Sequence, residues 1–475
     1  MPASTGQSKP RSPSIPRSAV WMERSGGALA TLVVWALAVL LVAPRDFDFA
    51  EHGMTTGGDV YTRMVWLASL AIPTGLLAWR SPRALAIARW LNPYLWMLLL
   101  LAAASITWSI APSFTILRVI RFLTVVLACL SFALFGWQPR RLQDLLRSFL
   151  TFVCVASIAF AYFYPEGGIH HELSPELHNA WKGVTVGKNV LGSLAGVCTI
   201  VWLHGWMTRQ VRLIFAALGI AAGVVCLLGS RSNTSIMAAV FAVMFMLLLL
   251  RTPGTLRRSM PYLVGAFATA ILIYALAVLR IVPAMEGLLA PIQMLTGKDL
   301  SFSGRTNIWY VLSQNIHLHP WLGSGYGAYW VGEDATWSPS HVMIKLLYFY
   351  PSEGHNGYLD VINDLGTVGG LLLLGYFVRY IRDGLKVMRI DRAQGGLYLT
   401  LLFRGFLADM SESHWINALH VDFLIMTLAT TAMARTLLQA YLDRSARAAA
   451  AARSARLRAA SGVLARVTGM GARSN

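Results

Sequence analysis

The chain has 475 residues, of which 56% are hydrophobic and only 13% charged, and its formal net charge is +18. A soluble globular protein carries about 25% charged residues, and here the apolar residues gather into runs long enough to cross ~30 Å of hydrocarbon. This composition excludes an ordinary water-soluble enzyme, and the placement of the positive charge argues against a nucleic-acid binder.

In chain order, residues 1–25 hold Lys9, Pro10, Arg11, Pro13, Pro16 and Arg17 and read as a disordered cytoplasmic arm. No cleavable signal peptide is expected, because the first apolar run is long enough to span and lacks a small-residue cleavage site. Twelve apolar runs follow, at 27–43, 61–79, 93–108, 114–135, 149–164, 190–206, 213–228, 236–250, 262–282, 358–377, 396–410 and 418–440. Backbone polar groups in lipid must be satisfied within the segment, so each run is expected to be a helix. The fold class is therefore an all-α polytopic membrane protein. Residues 26–282 carry helices one to nine, 283–357 form one large loop domain, and 358–440 carry helices ten to twelve. Residues 441–475 form a basic Ala/Arg-rich tail, read either as a helix on the inner membrane surface or as a solvated segment.

Twenty-seven of the 40 Lys and Arg lie in the two tails or in the alternate connections 80–89, 140–147, 209–212, 251–258 and 379–392. This is the positive-inside pattern. It puts both termini in the cytoplasm, which an even number of spans requires. The excess charge is then topological, helped by anionic lipid on the inner leaflet, and no nucleic-acid partner is expected. The four cysteines (Cys129, Cys154, Cys198, Cys226) fall inside expected helices and read as small buried apolar side chains, with neither a disulfide nor a metal role.

Topology sorts the remaining polar residues. Arg118, with Arg121 about one turn on, stands near the start of helix four on the outer side. Lys188 opens helix six in WKGVTVGKNVLG, beside Asn189; it is either part of an anion site at a helix N-terminus or an interfacial lysine. Arg231 sits in GSRSNTS, a short outer hairpin, either as a phosphate-binding group or as a snorkelling arginine. The outer loop itself is framed by SFSGRTNIW, with Arg305, and by SEGHNGYLD, with His355, Asn356, Tyr358 and Asp360. Residues 304–316 read as an amphipathic helix. The aromatic, glycine-rich stretch with GSGYG (323–327) suits either a sugar face or a membrane-interface belt and becomes a candidate glycan-binding lid. GSGYG lacks the strand, lysine and helix of a phosphate loop. His355 is either a packed histidine or a general base, with Asp360 and Asp364 in the turns below it expected to orient the imidazole. Asp409, Glu412 and His414 in LADMSESHWIN either hold the long loop in place or help bind an acceptor, and the structural role is expected. No His/Cys/Asp/Glu set has metal spacing, and no nucleophile motif is present.

The order GVTVGKNVLG, GSRSNTS, GRTNIW, HPWLGSGYGAYW, HNGYLDVINDLG resembles the O-antigen ligase and exopolysaccharide polymerase superfamily of bacterial inner-membrane glycosyltransferases. The resemblance covers residues 182–370 well, and helices one to five and the C-terminal tail only in hydropathy. It implies transfer of an undecaprenyl-diphosphate-linked glycan, whole, to an acceptor that is another lipid-linked repeat or lipid A core. It gives His355 the position of general base and Arg305 and Arg231 the positions that grip the diphosphate. Lys188 matches the basic residue of the family's KN motif, but Gly187 stands where the family often has histidine, so that histidine's contribution is missing here. Asn356, Tyr358, Asp360, Arg118 and Arg121 complete the expected substrate-binding set. The implied reaction is a single inverting displacement on the periplasmic face, without metal or cofactor. HNGYLDVINDLG and GYGAYW favour a polymerase over a ligase. A twelve-helix transporter or flippase is the competing class, disfavoured because the charges gather at one face and no inverted repeat is visible.

Overall fold

The computed structural model describes residues 17–44, 60–171, 177–252, 262, 305–332, 335–347 and 350–471. The helices are α1 (Arg17–Val42), α2 (Val60–Trp79), α3 (Ser81–Trp90), α4 (Pro93–Ala104), α5 (Pro112–Leu134), α6 (Arg141–Phe163), the one-turn α7 (Pro165–Gly168), α8 (Lys188–Met207), α9 (Leu213–Gly229) and α10 (Asn233–Arg251). After them come α11 (Arg305–Leu318), α12 (Val342–Leu347), α13 (Gly357–Ile390), α14 (Arg392–Ala408) and α15 (Val421–Gly471). Among the described residues the β-structure is one isolated bridge, Ile169 to Trp181.

Seven of these helices are long and apolar enough to cross a membrane, or eight if α3 and α4 form one span bent by 99°. The chain is thus a multi-pass membrane protein. Of the twelve expected spans, 262–282 lies outside the described residues, apart from residue 262, and each of the others coincides with a helix. Three connections differ from expectation. Residues 81–90 are a short basic helix, and the bend before α4 is set by Asn92, whose side chain accepts from Tyr94 N at 3.1 Å ahead of Pro93. The basic stretch from Arg379 simply prolongs α13, stabilised by Asp383 pairing with Arg379 at 2.6 Å and Lys386 at 3.2 Å. The tail is not a separate element: α15 continues unbroken through it, and residues 441–458 are exposed all round.

Lipid offers no hydrophobic drive for helix association, so close packing must come from small residues. Gly192 and Gly196 of α8 let Ser235 and Ala239 of α10 approach, and Gly223 of α9 lies against Thr199 of α8.

Inside the bundle α13 is broken at Gly366, whose φ of 66° and ψ of −169° leave the helical region. A break in a membrane helix strands backbone groups that lipid cannot satisfy. The segment 320–325 satisfies them. Ser324 N and Gly325 N donate to the carbonyls of Asn363 and Asp364, both at 3.0 Å, and Thr367 N and Val368 N donate to Pro320 O and Trp321 O at 2.9 and 3.2 Å. A side chain at Gly366 would meet the Trp321 carbonyl. GSGYG is therefore a buried splint across a broken helix, further fixed by Tyr326 N on Ser105 Oγ at 3.0 Å. Residues 323–332 are all buried, which corrects the expectation of a lid.

The two ends of the bundle differ in chemistry. At one, Arg141 donates to Phe132 O and Gly27 O at 2.6 and 2.7 Å, Arg392 to Leu249 O at 3.0 Å and Arg147 to Gln210 at 3.2 Å. At the other, the starts of α8, α11, α13 and α15 come together.

Candidate active site

Four segments remote in sequence converge there. Glu412, between α14 and α15, accepts from Asn189 Nδ2 of α8 at 2.8 Å and from Arg305 Nη2 of α11 at 3.2 Å, both on Oε1. Its Oε2 lies 3.8 Å from His355 Nδ1. Glu353 places Oε1 3.4 Å from the same Nδ1, and its Oε2 is 2.9 Å from His420 Nε2. The constellation is thus one imidazole between two carboxylates, each carboxylate tied on its far side to another group.

Local structure explains why the loop holds this shape. His355 has φ 49°, a left-handed conformation uncommon outside glycine that costs on the order of 1 kcal/mol or more. Its neighbours fix it. Asn356 caps α13, accepting from Tyr358 N and Leu359 N, both at 3.2 Å, and its own N–H donates to Ser413 Oγ at 3.1 Å. Gly354 N donates to Asp360 Oδ2 at 2.8 Å, and Trp309 Nε1 donates to Gly354 O at 2.9 Å. Gly357 N donates to Asp409 O and Glu412 O at 2.9 and 2.8 Å. The two acidic loops are therefore stitched backbone to backbone.

Burial opposes charge on His355, but the Glu353 and Glu412 carboxylates outweigh it and push the imidazole up to about 9. Burial likewise pushes Glu353 up, but His420 and His355 dominate and hold it well below the usual carboxylate range. Both shifts favour an imidazolium paired with a carboxylate.

A second, deeper network supports the first. Asp422 of α15 pairs with Arg404 of α14 and accepts from Ser193 of α8 at 2.7 Å. His414 lies between Asp409 at 3.4 Å and Asp422 at 3.7 Å, and those two acids overcome its burial to push it up to about 9. Its ring is 5.1 Å from that of His420. Arg404, inside the apolar run 396–410, is thus a buried ion-pair partner.

The structure brings together His355 and Arg305 of the expected residues, and Lys188 opens α8 directly before Asn189. Arg231, also at positive φ, instead donates to His178 O at 3.0 Å. Arg121 sits 5.5 Å from the Trp66 ring, whereas Arg118 lines a cleft beside Glu353. Asn356, Tyr358 and Asp360 serve the scaffold: Tyr358 donates to Phe406 O at 3.0 Å, and Asp360 accepts from Gly354 N and, at 2.9 Å, from Trp330. Asp360 and Asp364 therefore do not orient His355. Glu353 and Glu412 do, and Glu412 was expected to be structural.

Residues Glu353, His355 and Glu412 also bring three ligand-type atoms within 4.8 Å of one another, a set no sequence spacing reveals. Arg305, Asn189 and His420 already occupy those carboxylates, so a cation there must compete with a guanidinium and an imidazole. Sequence reasoning passed over Glu353, Glu412, His420 and Asn189 as site residues. One signal was available: the chain has only 22 acidic residues, so an acid on the site side of an apolar chain is itself unusual.

Residues 216–374 match the family described as O-antigen ligase. The chain is also 26% identical over 297 residues to the exopolysaccharide production protein ExoQ of Rhizobium meliloti (strain 1021). That alignment covers 59% of this chain and 62% of the relative, so the chain spans less than two thirds of the length of the protein it matches. The matched family region contains Arg231, Arg305 and His355.

Proposed function

We propose that this chain, whose motifs and matches support the O-antigen ligase and exopolysaccharide polymerase superfamily, is a glycosyltransferase of the bacterial inner membrane. It moves a glycan from undecaprenyl diphosphate en bloc to an acceptor glycan on the periplasmic face, and its acceptor is another lipid-linked repeat. The observation that carries this reading is the convergence of His355, Glu353, Glu412 and Arg305 from separate segments at one end of a membrane bundle.

In the proposed reaction the acceptor hydroxyl attacks the anomeric carbon as the bond to the diphosphate oxygen breaks. The electron pair leaves with the diphosphate, and Arg305, with Lys188 at the start of α8, neutralises that developing charge. The hydroxyl proton goes to His355, and Glu353 and Glu412 stabilise the resulting imidazolium. One displacement inverts the anomeric centre, and the diphosphate is already a good leaving group, so no covalent intermediate is needed. One observation favours a second reading of His355. Its imidazole lies between the Glu353 and Glu412 carboxylates, which favour the charged form, and a resident imidazolium would grip the diphosphate beside Arg305.

The test is to incubate the purified protein with an undecaprenyl-diphosphate oligosaccharide, with and without lipid A core. Lengthening of the lipid-linked glycan alone marks a polymerase, and transfer only with core marks a ligase. No transfer in either case, or full turnover by His355→Ala, overturns the reading.

A further inference from the structure

Next to the His355 cluster, and sharing Glu353 with it, lies a narrow cleft of about 40 Å³. Arg118, Trp330, Ser352, Asp360 and Asp364 line it with Glu353. Most of these groups are committed elsewhere. Asp360 accepts from Trp330 and Gly354, Asp364 accepts from Gly327 N at 2.7 Å, and Glu353 carries His420. Arg118 forms no hydrogen bond or ion pair among the described residues, and its stem packs where a side chain on Gly327 would stand.

The charges decide what fits. Glu353 is already balanced by His355 and His420, and one guanidinium faces the two remaining carboxyl groups, so a diphosphate placed here gains no net attraction. A neutral polyhydroxyl ring needs none: its hydroxyls donate to carboxylate lone pairs and accept from the guanidinium, and the Trp330 ring offers an apolar edge. We infer that this cleft is the acceptor subsite, holding the terminal sugar of a neutral glycan with its hydroxyl turned across Glu353 toward His355. The inference rests on the proposed transferase reading, and it separates Arg118 from the diphosphate-binding arginines with which the sequence grouped it.

The experiment measures separate KM values for a short-chain polyprenyl-diphosphate oligosaccharide as donor and the same saccharide, released from its lipid, as acceptor. Arg118→Ala should raise the acceptor KM roughly 10- to 100-fold, as for a lost charged hydrogen bond, with the donor KM nearly unchanged. Ser352→Trp, which fills the cleft and leaves Arg118 unsubstituted, should do the same and guards against misfolding of the first variant. A rise in donor KM instead, or no change in either constant for both variants, overturns the subsite while leaving the transferase reading standing. Failure of the wild-type protein to transfer at all overturns the reading itself and the subsite with it.

Discussion

Arg141 and Arg392 at one end of the helix bundle and Arg305 at the other are used in opposite ways. At the basic end Arg141 and Arg392 spend their donors on backbone carbonyls of neighbouring helices, closing helix ends that would otherwise face lipid or water. At the opposite end Arg305 bonds a carboxylate that also flanks an imidazole, and Arg118 lines a cleft. A guanidinium on carbonyls is finished, whereas one beside exchangeable carboxylates and an imidazole leaves charge to be redistributed when a ligand enters. The difference separates scaffold from chemistry more cleanly than charge counting does.

The sharpest way to break this comparison is to remove one group from each end. His355→Ala should lower transfer by ~10²–10⁴-fold, the usual worth of a positioned acid–base group, with little change in the melting temperature of the detergent-solubilised protein. A large loss of thermal stability with turnover per folded molecule intact would make His355 a scaffold residue. Arg404→Ala should do the reverse. It leaves the buried Asp422 with only His414 and Ser193 as partners, which costs up to about 3–5 kcal/mol, and its main effect is on melting temperature and yield. Arg141→Ala should show comparable behaviour, since each hydrogen bond to a charged group contributes about 1.5–3 kcal/mol. If Arg141→Ala instead abolishes transfer in folded protein, the basic end takes part in function and the contrast fails.

Much of the bundle was legible because its signal is local. A run of apolar residues must become a helix in lipid whatever lies beside it, so 93–108 and 190–206 could be read without knowing their neighbours. The splint across Gly366 was not legible, because its hydrogen bonds join 320–325 to 363–368 and no local pattern records them. The same holds for the site. HNGYLD pointed to His355, since a histidine at the outer end of a helix is locally odd. The carboxylates that set its charge were misassigned to Asp360 and Asp364, the acids nearest along the helix. A turn downstream, Asp360 faces Trp330 and the backbone of Gly354, while Glu412 arrives from 57 residues further along the chain. Helical spacing ranks partners within an element and says nothing about those that folding delivers from elsewhere.

The finest test of the two-ended comparison is pH, because among the described residues the site end holds an imidazole between acids outside the spanning helices. His355 is pushed from 6.5 up to about 9 in the folded protein. If it acts as a base, its productive form is neutral, so transfer should rise with pH and level off above about 9. Glu353→Gln removes a carboxylate that favours the imidazolium, so the same rise should move to lower pH. If His355 acts instead as a fixed cation on the diphosphate, transfer should fall as pH rises through about 9, and Glu353→Gln should bring that fall to lower pH. Stability follows the sign of the shift. A group whose pKa is raised on folding contributes fully below its unfolded value of 6.5, and the contribution is lost as pH climbs through about 9. His414 is raised for the same reason, so the melting temperature should decline across this window, and less steeply in His355→Ala, where only His414 of the two remains. A decline of unchanged slope in that variant would mean that the carboxylates around His355 do not hold its proton, and both readings of its role would lose their physical basis.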